Sequence, residues 1–496
     1  MRKKHVAAVD LGASSGRVIL VTFYQNQLEL EEIHRFTNEG IHAGERLYTD
    51  ILYIFREILT GIKKLNQRGK RIDAIGIDSW GVDFAVLDKR DELVGNPYHY
   101  RDIQTEKTLE QARQIFGERG LFHETGIQDM WYNTIYQILG IQNRNKDYFR
   151  NAQCILMIPD ILGYFLTGNK QIEYTSASTT QIYNLKQKKW SENILYELGL
   201  EDQLFPEVLM TGTPKGYLTD TVKKLTGMVE ENNPVLIATA GHDSASAAYA
   251  VPASEEKYVF INSGTWSIIG MVMDEPVVTD EIYEKGYSNE GAAFGKVKLV
   301  QSIMGMWLIQ ELRKSWERQG KRIDYGYLTA EAEQADAFTH MINVDDVLFA
   351  SPLDMEEAVS QYCIRTGQTE MHGQGELYRT VMESLAMRYR EAVNDLEKIT
   401  GEKVDILYLL GGAVQDRAFC QYIANATGKR VSAGPVEATA IGNAMIQLKA
   451  LGVLTDEDSR AKLLCRSFSI ECYDPKETEV WDKMYEKYRK IVNRRP

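Results

Sequence analysis

Two distant stretches of this chain are written to one plan, and that repetition limits what it can fold into. Residues 6–24 (VAAVDLGASSGRVILVTFY) run from an apolar stretch into a turn of small polar residues and then into a second apolar stretch; residues 258–272 (YVFINSGTWSIIGMV) do the same. Each reads as a hairpin with a polar tip. Residues 72–81 (IDAIGIDSWG) and 404–413 (VDILYLLGGA) form a second pair, each a buried strand running into a glycine turn. Two halves sharing one order of elements point to duplication, with a boundary near residues 252–256 and expected domains at 1–252 and 253–496.

The first tip has the composition of an anion site. Ala13 and Gly16 let the backbone approach a phosphate, Ser14 and Ser15 add hydroxyl donors, and Arg17 adds a fixed positive charge. Asp10 would repel a bare phosphate, but it suits a hard Mg²⁺ ion. An ordinary hairpin turn has the same composition, so the tip alone does not decide between the two.

Between the paired stretches, residues 28–36 alternate like a third strand, and residues 50–66 carry helical apolar spacing. Residues 79–87 (SWGVDFAVL), with Tyr98, His99 and Tyr100 soon after, put aromatics beside hydrogen-bonding side chains. That suits a sugar pocket, and equally a hairpin with aromatic packing. Residues 105–232 read as helices and polar loops, an insertion that could wall a pocket. Residues 235–240 are a short strand leading into a helix at 245–250, with Asp243 at the junction. A carboxylate there stands at the mouth of an α/β sheet, or serves as a helix cap. Helices are expected from residue 301, over 376–399, over 438–446 and over 477–492. In the third of these, Gly442 costs stability unless a backbone or ligand comes close.

A net charge of −13 lacks the basic footprint of a nucleic-acid surface, and the clusters at Lys63–Lys64 and 186–189 read as solvated faces. The five cysteines are scattered without C-x-x-C spacing, which favours neither a disulfide framework nor a zinc site. The apolar run after the basic start is broken by Asp10, too early for a signal peptide, and no run approaches the roughly 18 residues of a membrane span. A cytoplasmic protein without membrane or nucleic-acid partners is expected.

Taken in order, DLGASSGR (10–17), GIDSWGVDF (76–84), GHDSASA (241–247), SGTWS (263–267), IMGMWLIQ (303–310), GGAVQ (411–415) and GPVEA (434–438) resemble the FGGY family of carbohydrate kinases, within the actin, hexokinase and Hsp70 superfamily. The resemblance covers nearly the whole chain. It implies an α/β protein of two ribonuclease-H-like domains, with mixed sheets flanked by helices and a cleft between them. It implies transfer of the ATP γ-phosphoryl group to the 1-hydroxyl of a ketose, L-rhamnulose, with Mg²⁺ as cofactor. By the same match Asp243 is the general base. Ala13, Ser14, Ser15, Gly16, Arg17, Thr265, Gln310 and Gly412 fall on ATP-contacting positions. Gly81, His242, Asp243, Ser244 and Ser302 fall on sugar-contacting ones, and Asp10 on the metal-linked carboxylate. Two positions depart from the usual pattern: Ser302 stands where Asn is frequent, and Ser244 where Thr is common.

Kinases for xylulose, fuculose or glycerol share this pattern. A nucleotide-driven binding module like actin or Hsp70 shares the duplicated core without a carboxylate aimed at an acceptor sugar. Neither a G-x-x-x-x-G-K-[ST] loop nor an H-R-D motif is present.

Overall fold

The computed structural model describes residues 3–254 and 257–493; Glu255 and Glu256, inside the expected boundary, lie outside the described residues. The opening stretch forms β1 (Lys4–Leu11), β2 (Ser15–Tyr24) and β3 (Gln27–Thr37), followed by α1 (Ile51–Gln67) and β4 (Ala74–Ser79). After the insertion come β5 (Pro214–Tyr217), β6 (Val235–Ile237) and α2 (Asp243–Tyr249). The second copy begins with β7 (Tyr258–Ser263), β8 (Trp266–Met273), β9 (Ser288–Gly291) and β10 (Val297–Met304). It continues through α3 (Trp307–Arg318), α4 (Gly373–Thr400), β11 (Ile406–Leu410), β12 (Arg430–Ala433), α5 (Ala438–Ala450) and β13 (Glu471–Tyr473).

Two mixed sheets carry the fold, in the orders β5-β6-β4-β1-β2-β3 and β9-β10-β8-β7-β11-β12-β13. In the first, β1 pairs antiparallel with β2 and parallel with β4, which pairs parallel with β6. In the second, β7 pairs antiparallel with β8 and parallel with β11, which pairs parallel with β12. The stretches that echo one another in sequence therefore occupy matching places in the two sheets. Val6 to Leu11 are all buried, as expected of a strand with a parallel neighbour and helices packed on it.

The chain divides into two compact units. One comprises Met1–Ser254, Val272–Val300 and Glu437–Ser467; the other comprises Glu255–Met271, Gln301–Val436 and Phe468–Pro496. One passage between them falls beside the expected limit at 252. The chain also returns to the first unit twice, with residues 272–300 and 437–467.

In the first unit, α1 lays Ile51, Ile54, Ile58, Ile62 and Leu65 into the core. This is the spacing of one helical face, and Asp50 caps it by accepting from Tyr53 N at 3.0 Å. The insertion is largely helical, with helices at Thr108–Phe116, Gly120–Thr125, Thr134–Arg144 and Ile158–Thr167. Its strand 152–157 pairs with 84–88. Cys154, Cys363 and Cys420 are buried, Cys465 and Cys472 exposed, and no disulfide joins any of the five. No helix among the described residues is long and apolar enough to cross a membrane.

Helix α5 also belongs to the first unit, where it crosses α2. The crossing is tight at Gly442: a Cβ there would lie 1.8 Å from the Ser246 carbonyl oxygen and 2.6 Å from its carbon. This close approach is the compensation that a glycine inside a helix requires. Since the obstacle is backbone, a methyl group can be admitted only by moving one helix. Gly442→Ala is expected to cost about 1–3 kcal/mol by overpacking. Thermal melting checks this, and an unshifted Tm would show that the crossing tolerates the methyl group.

Candidate active site

The first tip follows from β1 and β2 running in register. Asp10 lies opposite Arg17 across the hairpin, and the turn closes with Gly12 N donating to Ser15 O at 2.9 Å. Arg17 donates to Asp10 Oδ2 at 2.5 Å and to Glu437 Oε2 at 2.6 Å. Its charge is thus balanced by two carboxylates, one on the neighbouring strand and one just before α5. Burial lifts the Asp10 carboxyl above its ordinary range against the pull of Arg17.

On the adjoining parallel strand Asp78 is level with Asp10 and fully buried. Asn443 Nδ2 donates to Asp78 Oδ2 at 2.5 Å, and Gln447 donates both to Asn443 Oδ1 at 2.7 Å and to Ala7 O at 3.0 Å. Burial, then the nearby charge of Asp10, pushes Asp78 well above the usual carboxylate range.

The segment that presents Asp243 is held from both sides. Ser79 N donates to Gly241 O at 2.9 Å. The buried Glu173 accepts from Gly241 N at 2.9 Å and from Thr175 Oγ1 at 2.5 Å, and Thr175 Oγ1 in turn accepts from His242 N at 3.0 Å. Asp243 then opens α2. The cap position is His242, and no side chain caps the helix. A cap is therefore not what this carboxylate does. Its side chain keeps 34 % exposure although protein surrounds it closely. Burial, followed by the charge of Asp10, pushes its carboxyl up to about 7, while the Ser244 amide and Lys298 pull the other way.

Around Asp243 stands a set of residues that sequence reasoning did not find. Lys298, fully buried on β10, donates to Glu290 Oε2 in a very short contact and to Ser244 Oγ at 3.0 Å. Glu290 lies 3.4 Å from His242 Nδ1. Burial and the positive charge of Lys298 push the His242 imidazole down to about 4.

Gly81 follows β4 and packs on Thr179. Next to it Val82 sits at φ 70°, a rare conformation for a β-branched residue. Its N–H donates to Thr179 Oγ1 at 3.1 Å, and its carbonyl accepts from Thr134 Oγ1 at 2.6 Å. The aromatic segment beside it is ordered as a stack. Trp80 lies over His99, His99 over Tyr100 with centroids 4.5 Å apart, and Tyr132 meets Tyr100 edge-on. Asp83 ties the stack by accepting from Trp80 Nε1 at 2.9 Å and from Tyr100 N at 3.1 Å.

In the second unit the β7–β8 turn docks on the start of α3. Thr265 O accepts from Gly305 N and Trp307 N at 3.2 and 3.0 Å, and Thr265 Oγ1 donates to Gln310 Oε1 at 3.3 Å. Beneath the turn, Ser263 and Ser267 share the Tyr389 hydroxyl. The β11 turn reaches the same place. Gly411, at φ 83°, would drive a Cβ to 2.8 Å from Ser263 O, and Gly412 follows it. Thr265, Gln310 and the turn bearing Gly412 therefore come together. Ser302 is half-buried on β10.

Two hairpin-led mixed sheets with ligand-type turns at the strand ends define a sugar-kinase fold. Residues 5–250 match the model for the N-terminal domain of the FGGY family of carbohydrate kinases, and residues 259–451 match that for its C-terminal domain. The chain belongs to this family and is an ATP-dependent carbohydrate kinase. Among curated relatives it is 38% identical over 490 residues to a rhamnulokinase of Bacteroides thetaiotaomicron, covering 99% of this chain and 100% of that one. It is 36% identical over 466 residues to a rhamnulokinase of Oceanobacillus iheyensis, covering 94% and 97%. Among solved structures it superposes on a xylulose kinase of Lactobacillus acidophilus with a TM-score of 0.81 at 19% identity, covering 98% and 97%. A glycerol kinase of Plasmodium falciparum gives 0.80 at 16%, covering 99% of both chains.

The raised carboxyl has a thermodynamic consequence. Asp243 binds its proton more tightly when folded, at about 7, than when unfolded, near 4. As the pH rises through that window the unfolded chain loses the proton first, so this group costs stability, and the cost is complete above pH 7. Asp243→Asn is expected to melt above the unmodified protein at pH 8 and level with it near pH 4. Melting curves at the two pH values check this, and a lower Tm at pH 8 would contradict it.

Proposed function

We propose that this kinase phosphorylates the 1-hydroxyl of L-rhamnulose, yielding L-rhamnulose 1-phosphate and ADP, with Asp243 as general base. The observation that carries the reading is Asp243 itself: a carboxyl opening a helix it does not cap, partly open to solvent, and brought close to neutral pH. A base works best when its pKa lies near the working pH. The sugar is taken from the rhamnulokinase relatives, which match over nearly the full chain.

In this reading the 1-hydroxyl oxygen attacks the γ-phosphorus, the bond to the β–γ bridging oxygen breaks, and the hydroxyl proton passes to Asp243. His242, Ser244, Gly81 and Ser302 contact the sugar. The turn from Ala13 through Ser14 and Ser15 to Gly16, with Arg17, contacts ATP, as do Thr265, Gln310 and Gly412. Such a reaction needs positioning and neutralised phosphate charge more than covalent help. Mg²⁺ fits the donor chemistry at Asp10. Among the described residues no group of three or more His, Cys, Asp or Glu side chains gathers for a metal, and Mg²⁺ in kinases is usually held by one or two carboxylates, water and substrate phosphates. When bound, the ion would offset charge on the phosphates. Asp10, steadied by Arg17, is the residue that would hold it.

The experiment that tests this reading is ATP turnover across a panel of L-rhamnulose, xylulose, fuculose and glycerol. ADP release stimulated most by L-rhamnulose is expected; preference for another acceptor would reassign the substrate, and slow hydrolysis indifferent to every sugar would reject the acceptor site. Asp243→Asn is expected to lose about 10²–10⁴-fold in kcat, and with it the rise of rate with pH up to about 7 seen in the unmodified enzyme. Near-normal turnover would remove Asp243 from the role of base. Asp10→Ala is expected to raise the Mg²⁺ concentration needed for half-maximal rate, and an unchanged metal titration would remove Asp10 from the metal site.

A further inference from the structure

The first half of β10, residues 297–300, is apolar except where Lys298 interrupts it, and that lysine is fully buried. A buried ammonium is expensive unless paired, and here Glu290 pairs it. The pair has a second contact: Lys298 Nζ lies 3.0 Å from Ser244 Oγ, one residue beyond Asp243. An ammonium has donors only, so a hydroxyl bonded to it must accept. The single proton of Ser244 is then left to donate, and the His242 ring, with Nδ1 and Nε2 each 3.2 Å from Ser244 Oγ, is one acceptor within reach. Glu290 reaches further to His242, 3.4 Å from Nδ1, and keeps 21 % of its own side chain exposed. Burial opposes the charge of Glu290, but Lys298 outweighs it and holds the carboxyl below the usual range.

We propose that the Lys298–Glu290 pair is a positioning device of the sugar site: Lys298 holds Ser244 as an acceptor, so that its proton turns to His242 or to the sugar, and Glu290 keeps Lys298 in place beside His242. Both act as positioning residues through Ser244 and His242. The inference rests on the proposal that these two residues contact the acceptor. A sugar oxygen that accepts from Ser244 can be a carbonyl, ring or hydroxyl oxygen, since all three carry lone pairs.

The test is a double-mutant cycle on the acceptor that the unmodified enzyme phosphorylates best, so that a wrong sugar in the panel and a wrong role for the pair give different results. One arm is Ser244→Ala. The other is Lys298→Met with Glu290→Gln, which removes both charges together and leaves neither buried alone. Each arm is expected to raise KM for the acceptor about tenfold, with KM for ATP within about twofold, and the combined variant to be no worse than Ser244→Ala alone. Multiplying effects, or an unchanged acceptor KM in the paired variant, would overturn the proposal. If the paired variant does not fold, Lys298→Arg with and without Ser244→Ala reads the same coupling, since the guanidinium keeps the charge but not the single-point geometry. Independent effects there would overturn it equally.

Discussion

The placement of Asp243 depends on one buried carboxylate. Glu173 gathers Gly241 N, Thr175 N and Thr175 Oγ1 on a single oxygen, while its other oxygen accepts from Thr211 Oγ1 at 2.6 Å. Burial pushes its carboxyl up to about 7 against those hydrogen bonds. Every donor in this set is neutral, so the anion is held by dipoles alone. Removing the charge would release the Gly241 and His242 amides together, since the second reaches Glu173 through Thr175. A turn held this way from both sides fixes where the Asp243 side chain starts.

Around that anchor the first unit collects negative charge. Burial raises Asp10, Asp78 and Asp243, the charge of Asp10 raises the other two further, and Asp243 adds to the rise of Asp78. The compensation is uneven. Arg17 serves Asp10, Asn443 offers Asp78 only a neutral hydrogen bond, and Asp243 has the more distant charge of Lys298. Such a set is held against the desolvation of its charges. It costs stability, and the buried Lys298, the pinned turn and the Gly442 crossing supply the rigidity that holds it. Val82 adds backbone strain of about 1–3 kcal/mol next to Gly81, tolerated because Thr134 and Thr179 leave its peptide groups no freedom to relax.

What could be seen in the sequence was whatever is encoded locally. The hairpins, the buried strands and the spacing of α1 are patterns within about 20 residues, and they stand where expected. The close packing at Gly442 was legible as well, because a glycine inside a helix requires a reason. Long-range partners were not. Arg17 looks like a phosphate ligand in its own turn, and nothing nearby reveals that Glu437 would meet it. Glu173 lies in a polar stretch of the insertion with no pattern around it. Lys298 did leave a signal, a lone charge inside the apolar run VKLV, and a buried charge implies a partner. The returns of residues 272–300 and 437–467 to the first unit were invisible because sequence order and spatial grouping differ.

The two copies of the plan have diverged where chemistry is concerned. At the level of Asp10 and Asp78, paired across β1 and β4, the second copy pairs Asn262 with Leu410 across β7 and β11. Where the first copy has two carboxyls, the second has an amide and an apolar side chain. The hydroxyls at that end, Ser263, Ser267 and Tyr389, form a neutral network that supports a turn without setting up a field. A polyanion meets less repulsion at such a turn than it would beside three carboxylates. Those carboxylates, in turn, suit a proton and a divalent cation better than they suit phosphate alone. The two sheets follow one plan, with carboxyls at this level in the first and neutral groups in the second.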